Sequence, residues 1–264
     1  MGSGSDYTPF LQHLGIASLN LGYGGEDGGG IYHSIYDDFY WYTHFSDTSF
    51  VYGRALAQTT GSAIMRLADA ELLPYDFSDF SDTIRKYVDE LKKLLEEKRK
   101  KVVERNKDIE GGVFSATVDP EKPLVPPVAE DVPPYLNFAP LENGAAAIAR
   151  AAEHYHKAIG RAGENGGSAL DRAALAGVNA ELIESERKVT TPAGLPGRPW
   201  YKHQIYAPGA YTGYGVKTVP AVREAIELKK WEEATAAIVS VGKVLEDEAA
   251  LIESAAGELE RAVR

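Results

Sequence analysis

Apolar positions along the chain change their spacing near residue 79. Beyond it, Ile84, Tyr87, Val88, Leu91, Leu94, Leu95, Val102 and Val103 recur at three- and four-residue steps with Lys, Arg and Glu between them. That is the period of an amphipathic helix, and Gly111-Gly112 ends it. Further helices are predicted over roughly 141–160, 169–188 and 220–262, the last with a break near Gly242. Alanine-rich faces over 145–158 and 247–256 permit close helix approach. Residues 119–140 hold seven prolines, too many for a helix or a central strand. An extended strap is expected there, anchored by Val125, Val128, Tyr135, Leu136 and Phe138. The stretch 190–220 is too long and too rich in Gly, Pro and aromatics to be a passive connection.

The opening segment has a different character. "LGIASLNLGY" (14–23) predicts a short strand, and a glycine-rich loop follows it. A helix is then expected from an N-cap at Asp47 through Phe50, Val51, Leu56, Ile64, Leu67 and Leu72, stopped by Pro74. One strand, a loop and a helix do not close an α/β layer, because the strand edge and the apolar face stay uncovered. The expectation is therefore a mainly α chain: a helical bundle over 73–264 preceded by a partial α/β remnant over 1–72, the end of a domain whose beginning lies elsewhere.

Charge and composition narrow the function. The net charge of −11 argues against nucleic-acid binding, which needs clustered Lys and Arg. The basic run Lys98-Arg99-Lys100-Lys101 is interleaved with glutamates and reads as a solvated helix face. Absence of cysteine excludes disulfides and thiolate chemistry. No apolar run approaches the roughly 20 residues of a membrane span. The first ten residues lack the basic and apolar regions of a signal peptide.

Candidate chemistry concentrates in "GGGIYHSIYDDFYWYTHF" (28–45). His33 stands between Tyr32 and Ser34, after a flexible loop and before a helix, where an imidazole can act as a metal ligand. Asp37 and Asp38 are candidates to orient it. A catalytic zinc takes about three protein ligands, and His13, His44, His154, His156 and His203 form no ligand spacing with His33. His154 and His156 are two apart on a predicted helix and point to different faces. No His-Glu-x-x-His, Walker or Gly-x-Ser-x-Gly motif is present.

Four stretches in order, "SGSDYTPFLQHLGIAS", "YHSIYDDF", "LPYDFSDFSDTIRKYVDEL" and "GLPGRPWYKHQIYAPGAYTGYG", resemble the C-terminal part of the glutamate carboxypeptidase II and transferrin receptor family. These are di-zinc exopeptidases and their catalytically dead relatives. The resemblance implies a transferrin receptor-like dimerisation domain over 73–264, preceded by the end of a peptidase domain. It implies that His33 binds one zinc and that Tyr32 helps polarise the scissile carbonyl. Ser3, Gly4, Ser5 and Asp6 match a motif lining the substrate cleft, with Ser5 in place of Asn. Residues 194–215 match a loop that holds the substrate's terminal residue, with Tyr214 as its tyrosine.

Two departures stand out. The glutamate-binding lysine is Gly213 here, leaving Lys217 as a substitute from a different geometry. The family's arginine patch falls on Asn20 and Gly22. The remaining zinc ligands and the catalytic glutamate belong to the family's N-terminal half. The expectation is a homodimerising part of a zinc peptidase that binds no zinc tightly and is inactive alone. The complete enzyme would act on peptides and be extracytoplasmic or secreted, with any signal peptide in the N-terminal part. A non-catalytic dimeric scaffold is the alternative.

Overall fold

The computed structural model describes residues 4–24, 31–116, 125, 127–164 and 171–262. The chain divides into two compact units, one of residues 18–74 and one of residues 1–17 with 75–264. Ser3 and the strap prolines Pro120, Pro123 and Pro126 lie outside the described residues.

Of "LGIASLNLGY" only residues 18–23 belong to the smaller unit, and no part of it forms a strand: residues 15–24 are irregular. A lone strand has nothing to pair with, and among the described residues of this unit no strand exists. Its main element is α1 (Val51–Ala68), on which no residue is buried. Asp47 is the only buried residue among the described part of this unit. Its carboxylate accepts the Gly53 N–H at 2.7 Å and the Tyr42 hydroxyl at 3.1 Å, closing the start of α1 as a capping side chain does. Burial pushes the Asp47 pKa up, but the N–H groups of Gly53, Tyr52 and Val51 and the Tyr42 hydroxyl outweigh it and hold the carboxyl below its ordinary value. The apolar side chains face outward instead, with Ile35 88% and Phe39 73% exposed.

The larger unit is a helical bundle. Helix α2 (Ser78–Glu110) buries Ser81, Ile84, Val88, Leu91 and Leu95 at alternating three- and four-residue steps. Helix α3 (Ala139–Glu164) opens with Pro140 in its first turn, where a missing N–H costs nothing. Helix α4 (Arg172–Lys188) is capped by Asp171, whose side chain accepts the Ala173 N–H at 2.9 Å. Strands β1 (Tyr206–Pro208) and β2 (Val216–Thr218) form an antiparallel hairpin. Helices α5 (Pro220–Glu227) and α6 (Trp231–Ala262) complete the unit. The core runs along α3 and α6, where Leu141, Ile148 and Tyr155 meet Ile238, Leu245 and Ile252, all essentially inaccessible. Among the described residues no helix is long and apolar enough to cross a membrane.

Two expectations are corrected by this packing. The break in the last helix falls at Leu228–Lys230, not at Gly242. Helix α5 ends in a Schellman turn: Lys230 N–H bonds Ala225 O at 2.8 Å, Lys229 N–H bonds Ile226 O at 3.3 Å, and Lys229 has φ +60°. Glycine normally fills that left-handed position, so a lysine hides the stop. Gly242 instead lets α3 and α6 touch. A Cβ there would lie 2.7 Å from Pro140 O, and one at Gly144 would lie 2.7 Å from Leu245 Cβ.

The strap is also held differently than expected. Val125, Val128 and Tyr135 are 91%, 81% and 85% exposed, while Pro133 and Phe138 are buried. Polar groups pin it: Asn106 exchanges two hydrogen bonds with the Glu130 main chain, at 2.7 and 3.0 Å. The Glu130 carboxylate pairs with Arg105 and Lys229. Arg99 lies over the Tyr135 ring at 3.6 Å.

Gly242→Ala is expected to destabilise the fold by about 1–3 kcal/mol, since the added methyl meets backbone that cannot yield. Gly257→Ala, in the same helix with nothing within 4 Å of its Cβ position, is expected to stabilise by about 0.5–1 kcal/mol. Urea unfolding of both variants checks the pair, and equal shifts would contradict the close crossing.

Candidate functional site

The residues singled out from the sequence fall on both units. In the smaller unit, residues 31–37 form consecutive tight turns, with Ser34 N–H on Ile31 O at 2.8 Å and Asp37 N–H on Ser34 O at 3.1 Å. His33 sits at φ +60°, a backbone conformation uncommon for a side chain of its size. Its ring stacks on Tyr32 with centroids 3.9 Å apart, and Tyr32 is 71% exposed. Asp38 accepts the Trp41 N–H at 2.8 Å and caps a short helical turn. Among the described residues neither Asp37 nor Asp38 hydrogen-bonds His33.

Zinc held catalytically takes about three protein ligands. Among the described residues no group of three or more His, Asp or Glu side chains is placed to hold a metal. One imidazole stacked on a tyrosine does not fit that requirement, so no chemical step is assigned to a metal on these residues alone.

In the larger unit, the chain's opening residues dock onto the loop after α4. Gln12 is buried, and its carbonyl accepts Lys202 N–H at 2.8 Å and His203 N–H at 3.2 Å. His13 donates from Nδ1 to Trp200 O at 2.7 Å and stacks on the Trp200 ring. Gly15, at φ +63°, comes so close to α4 that a Cβ would lie 2.8 Å from Arg187 Cα. Here two expected cleft residues meet. Gly4, at φ +86°, presses on the Tyr214 ring, where a Cβ would lie 2.2 Å from Cε1. Ser5 accepts the Thr8 N–H at 3.1 Å through its carbonyl, and Asp6 is exposed beside it.

Tyr214 stands near the tip of the β1–β2 hairpin and is 61% exposed. The hairpin is riveted by charges, of which Lys217 alone is a candidate from sequence. Arg198 reaches Pro208 O and Glu224, the latter at 2.6 Å, and Glu224 also accepts the Ala210 N–H at 2.8 Å. Lys217, expected in the cleft, pairs with both Glu227 oxygens at 2.7 and 2.9 Å. Its charge is matched within the fold. Sequence offered no distance cue for these pairs, although Arg198 in "PGRPW" marked a turn whose side chain had to find an acceptor.

Beneath the loop lies a buried polar layer. His203 Nδ1 accepts the N–H groups of Ile205 and Tyr206, so Nε2 carries the proton and donates to Glu186 at 2.8 Å. Glu248 is fully buried on α6 and accepts from the Ser185 hydroxyl at 2.6 Å, while its second oxygen has no partner. Burial raises its pKa to about 8; the Glu186 carboxylate adds to the rise, and the Ser185 hydrogen bond and Lys188 oppose it.

Comparison with known proteins bears on both halves. Residues 136–253 match the transferrin receptor-like dimerisation domain. A probable glutamate carboxypeptidase of Arabidopsis thaliana is 30% identical over 235 residues, covering 87% of this chain and 27% of that protein. One from Arthroderma benhamiae is 29% identical over 230 residues, 86% of this chain and 26% of that protein. An aminopeptidase of Rattus norvegicus is 35% identical over 94 residues, 33% of this chain and 13% of that protein. The chain thus spans about a quarter of the length of the first two.

The Glu248 shift carries a sign. A carboxyl whose folded pKa lies above its ordinary value keeps a proton that the unfolded chain releases, so stability falls as pH rises between about 4.5 and 8 and is flat above. Glu248→Gln removes that slope. Its melting temperature is expected to exceed the parent's most near pH 8, by the equivalent of roughly 2–4 kcal/mol, with the gap closing toward pH 5. Parallel melting profiles across that range would contradict the burial of an ionisable group.

Proposed function

We propose a function on the premise that the chain belongs to the glutamate carboxypeptidase and transferrin receptor family: it supplies the dimerising bundle and one wall of the substrate cleft of a zinc-dependent exopeptidase. The observation that carries the cleft assignment is the contact of Gly4 with the Tyr214 ring. Two segments far apart in sequence, each matched to the family's substrate-binding motifs, meet there on a hairpin fixed by Arg198 and Glu224. Tyr214 would contact the substrate's terminal residue, with Ser5 and Asp6 beside it; Ser3, the remaining residue of that motif, lies outside the described residues. Lys217 supports the hairpin through Glu227.

His33 is the single zinc ligand proposed from this chain, with Tyr32 beside the scissile bond and Asp37 and Asp38 shaping the turn. A complete ligand set would let zinc supply Lewis-acid polarisation and a bound water of lowered pKa, chemistry that His33 does not supply alone. The other ligands and the catalytic base would come from polypeptide outside residues 1–264. Outward-facing Ile35, Phe39, Tyr40 and Phe45 support this, since apolar side chains of that number are stable when covered. A non-catalytic dimeric scaffold is a second reading, favoured by the self-contained core of α3 and α6.

The purified chain is expected to be a dimer at tens of micromolar by light scattering, to carry no stoichiometric zinc and to hydrolyse no dipeptide. Tight zinc binding with hydrolysis would overturn the peptidase-part assignment, and a monomer would overturn dimerisation. In the complete enzyme, His33→Ala is expected to abolish zinc-dependent hydrolysis; unaltered hydrolysis would favour the scaffold.

A further inference from the structure

On the larger unit, away from the cleft loop, a cavity of about 230 Å³ opens between α2, the strap and the α5–α6 turn. Lys98, Lys101 and Arg105 line it from α2, Lys229 from the turn, Trp231 from the start of α6, and Glu130 from the strap. The α2 residues are three and four apart and so share one helix face. Four cations and one carboxylate leave a formal charge of +3 in a chain whose net charge is −11.

The internal contacts do not use up that charge. Glu130 takes Arg105 at 2.6 Å and also Lys229, two cations for one carboxylate. The strap does not need both, because Asn106 already clamps the Glu130 main chain. Lys98 donates to Glu227 O at 3.2 Å, the C-terminal end of α5. Lys101 is exposed, and among the described residues no carboxylate pairs with it. Lys229 occupies a left-handed turn position at φ +60°, where glycine would cost less. Strain retained at a charged residue, beside three other cations in one concavity, is a functional signal.

We propose that this cavity binds a small oxyanion of the phosphate class, either free phosphate or the monoester of a small aromatic molecule. A phosphate dianion offers acceptors to the Arg105 fork and to the ammonium groups of Lys101 and Lys229, relieving their mutual repulsion. The indole of Trp231 provides a flat wall against which an aromatic ester can stack. The site is independent of the cleft and of any peptidase activity.

The test is titration of the purified chain with inorganic phosphate and with phenyl phosphate at constant ionic strength set by sodium chloride, followed by calorimetry and tryptophan fluorescence. Saturable binding of both is expected, weakened about tenfold or more by Lys101→Ala and abolished by Lys101→Glu. Far-UV circular dichroism should be unchanged in both variants. Lys93→Glu, on the same helix outside the cavity, should bind as the parent does. Tighter binding of phenyl phosphate supports the monoester as the source, and equal binding supports free phosphate. No saturation beyond the chloride control, or equal weakening by Lys93→Glu, would overturn the proposal.

Discussion

The close crossing of α3 and α6 is the contact on which the larger unit depends. Gly144 and Gly242 remove the side chains that would hold the two helices apart, and alanines along both faces extend the contact. With the axes this near, Leu141, Ile148 and Tyr155 reach Ile238, Leu245 and Ile252 and exclude water. Helices α2 and α4 then lay their own apolar stripes on this pair. A methyl group at Gly242 would push on a backbone carbonyl, so the tolerance of the core is set at one point.

The candidate cleft follows from that frame. Helix α4, held on α6, carries Ser185 and Glu186 to the base of the loop, where they meet Glu248 and His203. The His203 ring orders the chain into β1 by accepting two successive N–H groups. Arg198 and Lys217 are both neutralised by glutamates of α5, leaving Tyr214 and Tyr211 as exposed aromatic groups at the hairpin tip. The chain's first residues complete the arrangement through Gly4, Gln12 and His13. A rigid polar base thus presents an aromatic, charge-balanced tip.

Much of the helical architecture was legible in the sequence because burial in α2, α3, α4 and α6 follows the helical period. Features resting on tertiary contact were not. The stretch 14–23 is apolar enough for a strand, but strand formation needs a partner edge. Gly242 reads as a break until Pro140 is known to lie against it, while Lys229 conceals a real stop because it occupies glycine's usual place. Val125, Val128 and Tyr135 looked like anchors by hydrophobicity, yet Asn106 and Glu130 fix the strap. At the candidate site, family resemblance supplied only the candidate residues, and the pairing of Arg198 with Glu224 and of Lys217 with Glu227 required coordinates.

The two units differ in kind: one closes its own core, and the other turns its apolar side chains outward. Native-state hydrogen exchange on the purified chain measures this directly. Amides of α3 and α6 are expected to exchange only through global unfolding, while those of α1 exchange near the unprotected rate. Protection of α1 equal to that of α6 would contradict the account.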